Sequence, residues 1–167
     1  YAATTDVAKG VLSISHGGAL GTSSYCHVYD QATLELNGGI TVARDLYVGN
    51  VSETSTAVSL RSASGDNTWT GFVRLHVDHP HAIVEFNNGS LTVSGIIEPH
   101  KGSAGSLTKT GDGVLKLTYG NNTYTGTTRV AAGSLLVNGA LNGGGTVTVD
   151  AGAPLGGTGT ITGLVDG

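Results

Sequence analysis

The segment RLHVDHPHAIVEF holds the densest set of chemically capable side chains. His76, Asp78, His79 and His81 fall within six positions. Imidazole and carboxylate groups are ligands for zinc or copper. Strand alternation puts His76 and Asp78 on one face and His79 and His81 on the other. Pro80 breaks that alternation, so a bend can gather three of the four. His16, His27 and His100 can approach only if distant segments stack. None of these spacings matches a known zinc motif. The sequence therefore favours solvated turn histidines over a metal site, and no cofactor is expected.

Calcium binding or acid–base work on a polysaccharide needs clustered carboxylates. The 12 acidic residues lie singly along the chain, and only stacking of distant segments can pair them. No catalytic residue is assigned. Asp112–Gly113 reads as a turn, because the other oxygen ligands of a calcium loop are missing. Gly143–Gly145 precedes a strand rather than a helix, which argues against a phosphate cradle. The glycan sequons at Asn50, Asn88 and Asn121 are expected by chance in an Asn- and Thr-rich chain. Tyr25, Tyr29 and Tyr47 read either as packed aromatics or as an exposed strip for sugar or protein binding. Cys26 is the only cysteine; it excludes an intrachain disulfide and reads as a half-buried small apolar residue.

The elements that must position these residues are strands. Of 167 residues, 28 are Gly and only 3 are Pro; there is no Met, one Trp and two Phe. Charged residues make up 12%, against about 25% in an average domain. Val, Leu, Ile and Thr suit pleated strands, and Gly and Asn suit tight turns. Helical periodicity is absent. Instead, apolar pairs separated by one residue recur between turn residues: Leu34 and Leu36, Val73 and Leu75, Leu91 and Val93, Leu115 and Leu117, Leu135 and Val137. The net charge of −4, with 8 basic residues spread thinly, offers no basic patch for nucleic acid. No apolar run of about 18 residues can cross a membrane as a helix. Tyr1–Ser15 has no signal-peptide layout, and the chain reads as a processed part of something larger.

A long repeat separates a sandwich of hairpins from a coil of parallel strands. GDNTWTGFVRL (65–75) and GNNTYTGTTRV (120–130) align position for position at a constant offset. Asn67, Thr68, Trp69 and Gly71 correspond to Asn122, Thr123, Tyr124 and Gly126, and Arg74 to Arg129. Such self-similarity marks a solenoid or array. At roughly 20–25 residues per coil the repeat spans two to three coils. The chain then holds about seven coils, in a column about 35 Å long at the usual strand spacing. Each Asn is expected to bond nearby backbone amides at a turn, or to stack on its equivalent in an adjacent coil. The aromatics are expected to pack over the corner, with both arginines outward. One domain, 1–167, is read, with loose modules at 1–49, 50–101 and 102–138 and an end piece at 139–167.

The stretch SLTKTGDGVLKLTYGNNTYTGTTRVAAGSLLVNG, Ser106 to Gly139, resembles the passenger-associated β-strand repeat of bacterial autotransporters. It pairs a Leu-x-Lys-x-Gly segment with a Gly-x-Leu-x-Leu strand, then an Asn-Thr-Tyr-x-Gly turn and a Gly-x-Leu-x-Val strand. The unit at Asn67–Gly71 looks like a degenerate copy with Trp69 in place of Tyr. The resemblance implies an all-β, right-handed parallel β-helix. It implies a non-enzymatic stalk at the bacterial surface or secreted from it, with a role in folding and export. Polysaccharide lyases and hydrolases share the architecture and are the enzymatic rival. A subunit that stacks end to end into a filament is one alternative, since unpaired strand edges template further strands. An adhesin that binds glycan or host protein on a lateral face is the other. The expected partners are flanking β-helix, another copy of the chain, glycan or host protein. Nucleic acid and membrane insertion are not expected.

Overall fold

The structure, a computed structural model, describes residues 4–29, 31–49, 58–75, 80–86 (backbone only) and 89–167. The alternating aliphatic pairs form short strands, and every strand pairing among the described residues is parallel. The chain winds as a β-solenoid with three faces, and it visits the faces in a fixed order.

The first face is an eight-stranded sheet. It comprises β2 (Gly10–Ile14), β4 (Ala32–Asn37), β7 (Leu60–Ser64), β10 (Pro80–Phe86), β13 (Ser106–Lys109), β15 (Thr128–Val130), β18 (Val147–Val149) and β21 (Val165–Asp166). The second carries β5 (Thr41–Val42), β8 (Asp66–Trp69), β11 (Ser90–Val93), β14 (Val114–Leu117), β16 (Ser134–Val137) and β19 (Leu155–Gly156). The third carries β1 (Thr5–Val7), β3 (Tyr25–Val28), β6 (Asp45–Val48), β9 (Val73–Leu75) and β12 (Ile97–Pro99). It continues as β17 (Ala140–Leu141) paired with β20 (Thr160–Ile161). Asn122 joins its two parts: it bridges Leu141, and the Thr123 N–H donates to the Ile97 carbonyl at 3.0 Å.

Parallel stacking sets each residue directly over one of the same facing in the coil beneath. Asn67, Leu91, Leu115, Leu135 and Leu155 form one inward column. Cys26, Leu46, Val73 and Ile97 form another. The coils do not have one length. The coil that carries Leu34 round to Leu60 is longer than the one that carries Val147 round to Val165. The aliphatics merge into one continuous core from Val7 to Ala153. Burying each large aliphatic contributes about 1.5–3 kcal/mol. An exposed ion pair contributes about 0–1 kcal/mol, so the core column holds the fold.

Glycine acts between coils as well as in turns. The backbones of Gly71 and Gly126 lie outside the left-handed region. A Cβ on Gly71 would sit 2.0 Å from the Arg44 carbonyl oxygen, and one on Gly126 2.0 Å from that of Gly105. Close approach of one corner to the corner below, rather than a turn angle, demands glycine at both positions.

Gly126→Ala is therefore expected to lower stability by about 1–3 kcal/mol through forced backbone displacement. Gly120→Ala, whose added Cβ would meet nothing within 4 Å, is expected to stay within about 0.5 kcal/mol of the parent. Denaturant midpoints measured on both variants check the pair.

Candidate functional site

Asn67 and Asn122 are both about 1% exposed and occupy inward positions in aliphatic columns. Their side chains do the same work. Oδ1 of Asn67 accepts the Ile40 N–H at 2.8 Å, and Oδ1 of Asn122 accepts the Ile97 N–H at 2.8 Å. Each Nδ2 donates three residues back, to the Ser64 carbonyl at 3.0 Å and the Tyr119 carbonyl at 3.2 Å. Asn67 also donates to Ser62 Oγ at 2.7 Å, and Asn122 to the Ala140 carbonyl of the next coil at 2.9 Å. A buried amide or carbonyl left without a partner costs about 1–3 kcal/mol. Each Asn thus clamps a corner where the turning backbone cannot complete its own ladder.

The two copies stand on different faces. Asn67 stacks under Leu91 and Leu115 on the second face. Asn122 sits between Ile97 and Leu141 on the third. The offset between the copies is two coils and one face more, so Asn67 and Asn122 do not stack on each other, contrary to one expectation. Local corner geometry repeats, and coil register does not. The aromatics also differ from expectation. Trp69 and Tyr124 are buried in the core rather than laid over the corner, because each is two residues from its Asn and shares its inward facing. The Tyr124 hydroxyl hydrogen-bonds Thr128 Oγ1 at 2.7 Å, and burial pushes its pKa up to about 12.

Lys109 is a third inward polar residue, stacked in register between Val84 and Val130 and fully buried. Its ammonium donates to the carbonyls of Thr110 at 2.8 Å, Gly111 at 2.6 Å and, in the next coil, Ala132 at 3.0 Å. Burial pushes its pKa down to about 8, against the opposing pull of Asp112. The sequence carried a signal for this placement, since Lys109 has the parity of Leu107. It carried none for the three carbonyls.

Outward charges pair between coils. Arg61 meets Glu35 at 3.3 Å, Arg74 meets Glu98 at 2.6 Å and Arg129 meets Asp150 at 2.6 Å. Stacking therefore joins these acids to arginines rather than to one another. Hydrogen bonds, from Asn37 above all and then from Ser13 and Arg61, hold the Glu35 carboxyl below its usual range. The hydrogen bonds from Arg129 do the same for Asp150. A general acid needs the opposite shift. Among the described residues no three His, Cys, Asp or Glu side chains gather as metal ligands. His76, Asp78 and His79 lie outside the described residues, and His81 is described by its backbone alone. Cys26 is fully buried rather than half-buried, and burial, with a smaller push from Asp6, raises its pKa to about 12.

The third face gathers aromatic and charged groups on its outer side. Asp6, His27, Tyr47, Arg74 and Glu98 form one outward column. Tyr25 and Tyr47 lie with ring centroids 4.9 Å apart, and His27 stacks on Tyr29 at 4.0 Å. The Arg74 guanidinium lies 5.1 Å from the Tyr47 ring centre and 5.4 Å from that of Phe72. It also donates to the Tyr47 hydroxyl at 2.5 Å. An open cleft of about 450 Å³ lies along Tyr47, Arg74, Glu98, Pro99, His100 and Lys101.

Comparison with known proteins bears on the same residues. The family described as Passenger-associated-transport-repeat matches residues 107–137. That stretch runs from β13 through the Asn122 corner to the end of β16, one coil and one face more. A curated relative, the adhesin BmaC autotransporter of Brucella suis biovar 1 (strain 1330), is 42% identical over 96 residues. The aligned part covers 57% of this chain and 2% of that protein. No solved structure matches the chain. The chain contains a repeat of the passenger-associated type and is similar to a segment of an autotransporter adhesin.

Two outcomes follow from the buried polar groups. Lys109→Met leaves three carbonyls without their donor and is expected to cost about 2–3 kcal/mol, read from denaturant midpoints at neutral pH. The Cys26 thiol is expected to resist a thiol reagent at mildly alkaline pH in the folded chain and to react fully once the chain is unfolded in urea.

Proposed function

We propose that this chain, which carries a passenger-associated-transport-repeat, is a structural, non-enzymatic segment of the surface-exposed passenger of a bacterial autotransporter. One observation carries the reading. The repeat's own distinctive residues, Lys109, Asn122 and Tyr124, are all buried and hydrogen-bonded within the solenoid. They are occupied in closing corners, and none is presented to a substrate. A motif of this kind serves folding.

The physics of a solenoid suits that task. Each coil contacts its neighbours only, so order can nucleate in one coil and propagate to the next. A chain delivered to the outside in unfolded form can then fold rung by rung as it emerges. Lys109 and Asn122 each bond a carbonyl of the following coil, Ala132 and Ala140, and so tie each new corner to the one already formed. The acids paired to arginines, and the similarity to an adhesin rather than to a hydrolase, support the non-enzymatic reading. The outward faces then act as a spacer that carries other parts of the protein away from the cell.

The test uses the complete protein that contains this chain, expressed in a Gram-negative host. An epitope inserted at the exposed turn Ala151–Gly152 is expected to bind antibody on intact cells. Lys109→Met is expected to lower that surface signal while the amount synthesised is unchanged. An epitope reached only after permeabilisation contradicts the proposal.

A further inference from the structure

The passenger reading leaves the outer side of the third face without a task, and its composition departs from the rest of the described surface. Elsewhere the outward positions hold mostly Thr, Ser, Gly and isolated ion pairs, with exposed aliphatics at Val11, Leu164 and Val165 and one other exposed ring, Tyr119. Here Tyr25, Tyr47, His27, His100 and Phe72 gather about one arginine–glutamate pair, with Tyr29 stacked on His27. Phe72 is 43% exposed. Aromatic rings gathered on one face, rather than scattered singly, mark a surface that serves contact with a partner.

We infer that this face is a lateral binding site for a neutral oligosaccharide, seated in the cleft along Tyr47, Arg74, Glu98 and His100. Three features select that chemistry. A pyranose ring presents a face of C–H groups that packs on an aromatic ring, and Tyr25 and Tyr47 offer adjacent rings 4.9 Å apart. Its hydroxyls both donate and accept. The side of the cleft offers an acceptor in Glu98 and a fork of donors in Arg74, held 2.6 Å from each other and so fixed in direction. Basic groups are in no surplus: Arg74 and Lys101 stand against Glu98, Asp45 and, in the same outward column, Asp6, with Asp45 lying 3.9 Å from the same guanidinium. An anionic polymer needs a surplus of basic groups, and the described residues of this face supply none.

The stacking of the solenoid adds a match of length. Successive rungs are about 4.8 Å apart, close to the span of one sugar unit. The aromatic and ionic groups of the outward column belong to consecutive rungs, His27, Tyr47, Arg74 and Glu98 in turn. An extended glycan laid along the column axis meets one rung per sugar. The inference goes beyond the passenger reading and stands apart from it, since surface display is read on cells and sugar binding on the purified chain.

The experiment is a glycan array probed with the purified chain, followed by titration of the best-bound oligosaccharide at low and high salt. Binding to a neutral oligosaccharide, unchanged by salt, is expected. Tyr47→Ala is expected to weaken it about tenfold through lost ring contact. Tyr47→Phe, which keeps the ring and lacks the hydroxyl that accepts from Arg74, is expected to weaken it less. Tyr119→Ala, on a corner away from the cleft, is expected to leave it unchanged. Circular dichroism checks that each variant keeps its strands, and the Tyr47→Phe result holds the test open if Tyr47→Ala fails to fold. No saccharide bound, binding confined to sulfated or acidic sugars, or neutral binding that survives a folded Tyr47→Ala would overturn the inference.

Discussion

In a parallel solenoid each side chain inherits the surroundings of the one beneath it, and everything else in this molecule follows from that constraint. An inward residue is flanked above and below by inward residues, so one polar group in an aliphatic column is cut off from water. It is tolerable only if hydrogen bonds replace those it loses. Asn67, Asn122 and Lys109 each stand in such a column, and each finds its partners at the adjoining corner. Corners are where the backbone changes direction and where ladder bonds run out. The polar groups and the unfinished corners satisfy one another.

This pairing explains why the motif has its spacing. From Asn67 to Trp69, or from Asn122 to Tyr124, is one step of the strand period, which keeps both side chains inward. Two residues further, Gly71 and Gly126 let one corner approach the next where any Cβ would collide with a carbonyl. The arginine three residues later lies on the following strand and points outward, to an acid of the next coil. The motif is thus a complete description of one corner. It can be placed at any corner of the three-faced cross-section, and the chain has placed it at two different ones.

The strands were legible because period-2 alternation survives in segments of only four residues. Leu34 with Leu36, Leu115 with Leu117 and Leu135 with Val137 are all buried in the core as that alternation requires. The outward facing of Tyr25 and Tyr47 follows from the same parity, one step from Cys26 and Leu46. The face on which each repeat lands was not legible. It depends on coil length, which shrinks between the Leu34–Leu60 coil and the Val147–Val165 coil, and length differences reside in corners that alternation does not govern. The burial of Trp69 and Lys109 was open to the parity argument. The expectation that Trp69 packs over the corner fails because Trp69 shares the parity of the inward Asn67. Lys109 carried no assigned role, because a charge suggests solvent before it suggests an inward position beside the buried Val130.

The central claim is that each Asn side chain closes a particular corner on a particular face. Amide hydrogen exchange followed by NMR tests it at the level of single bonds. In the unaltered chain the Ile40 and Ile97 amides are expected to be strongly protected, since each donates to an Asn side chain rather than to backbone. Asn122→Ala should expose the Ile97 amide and leave Ile40 protected, and Asn67→Ala should do the reverse. Loss of protection at both amides in either variant, or at neither, would contradict the account.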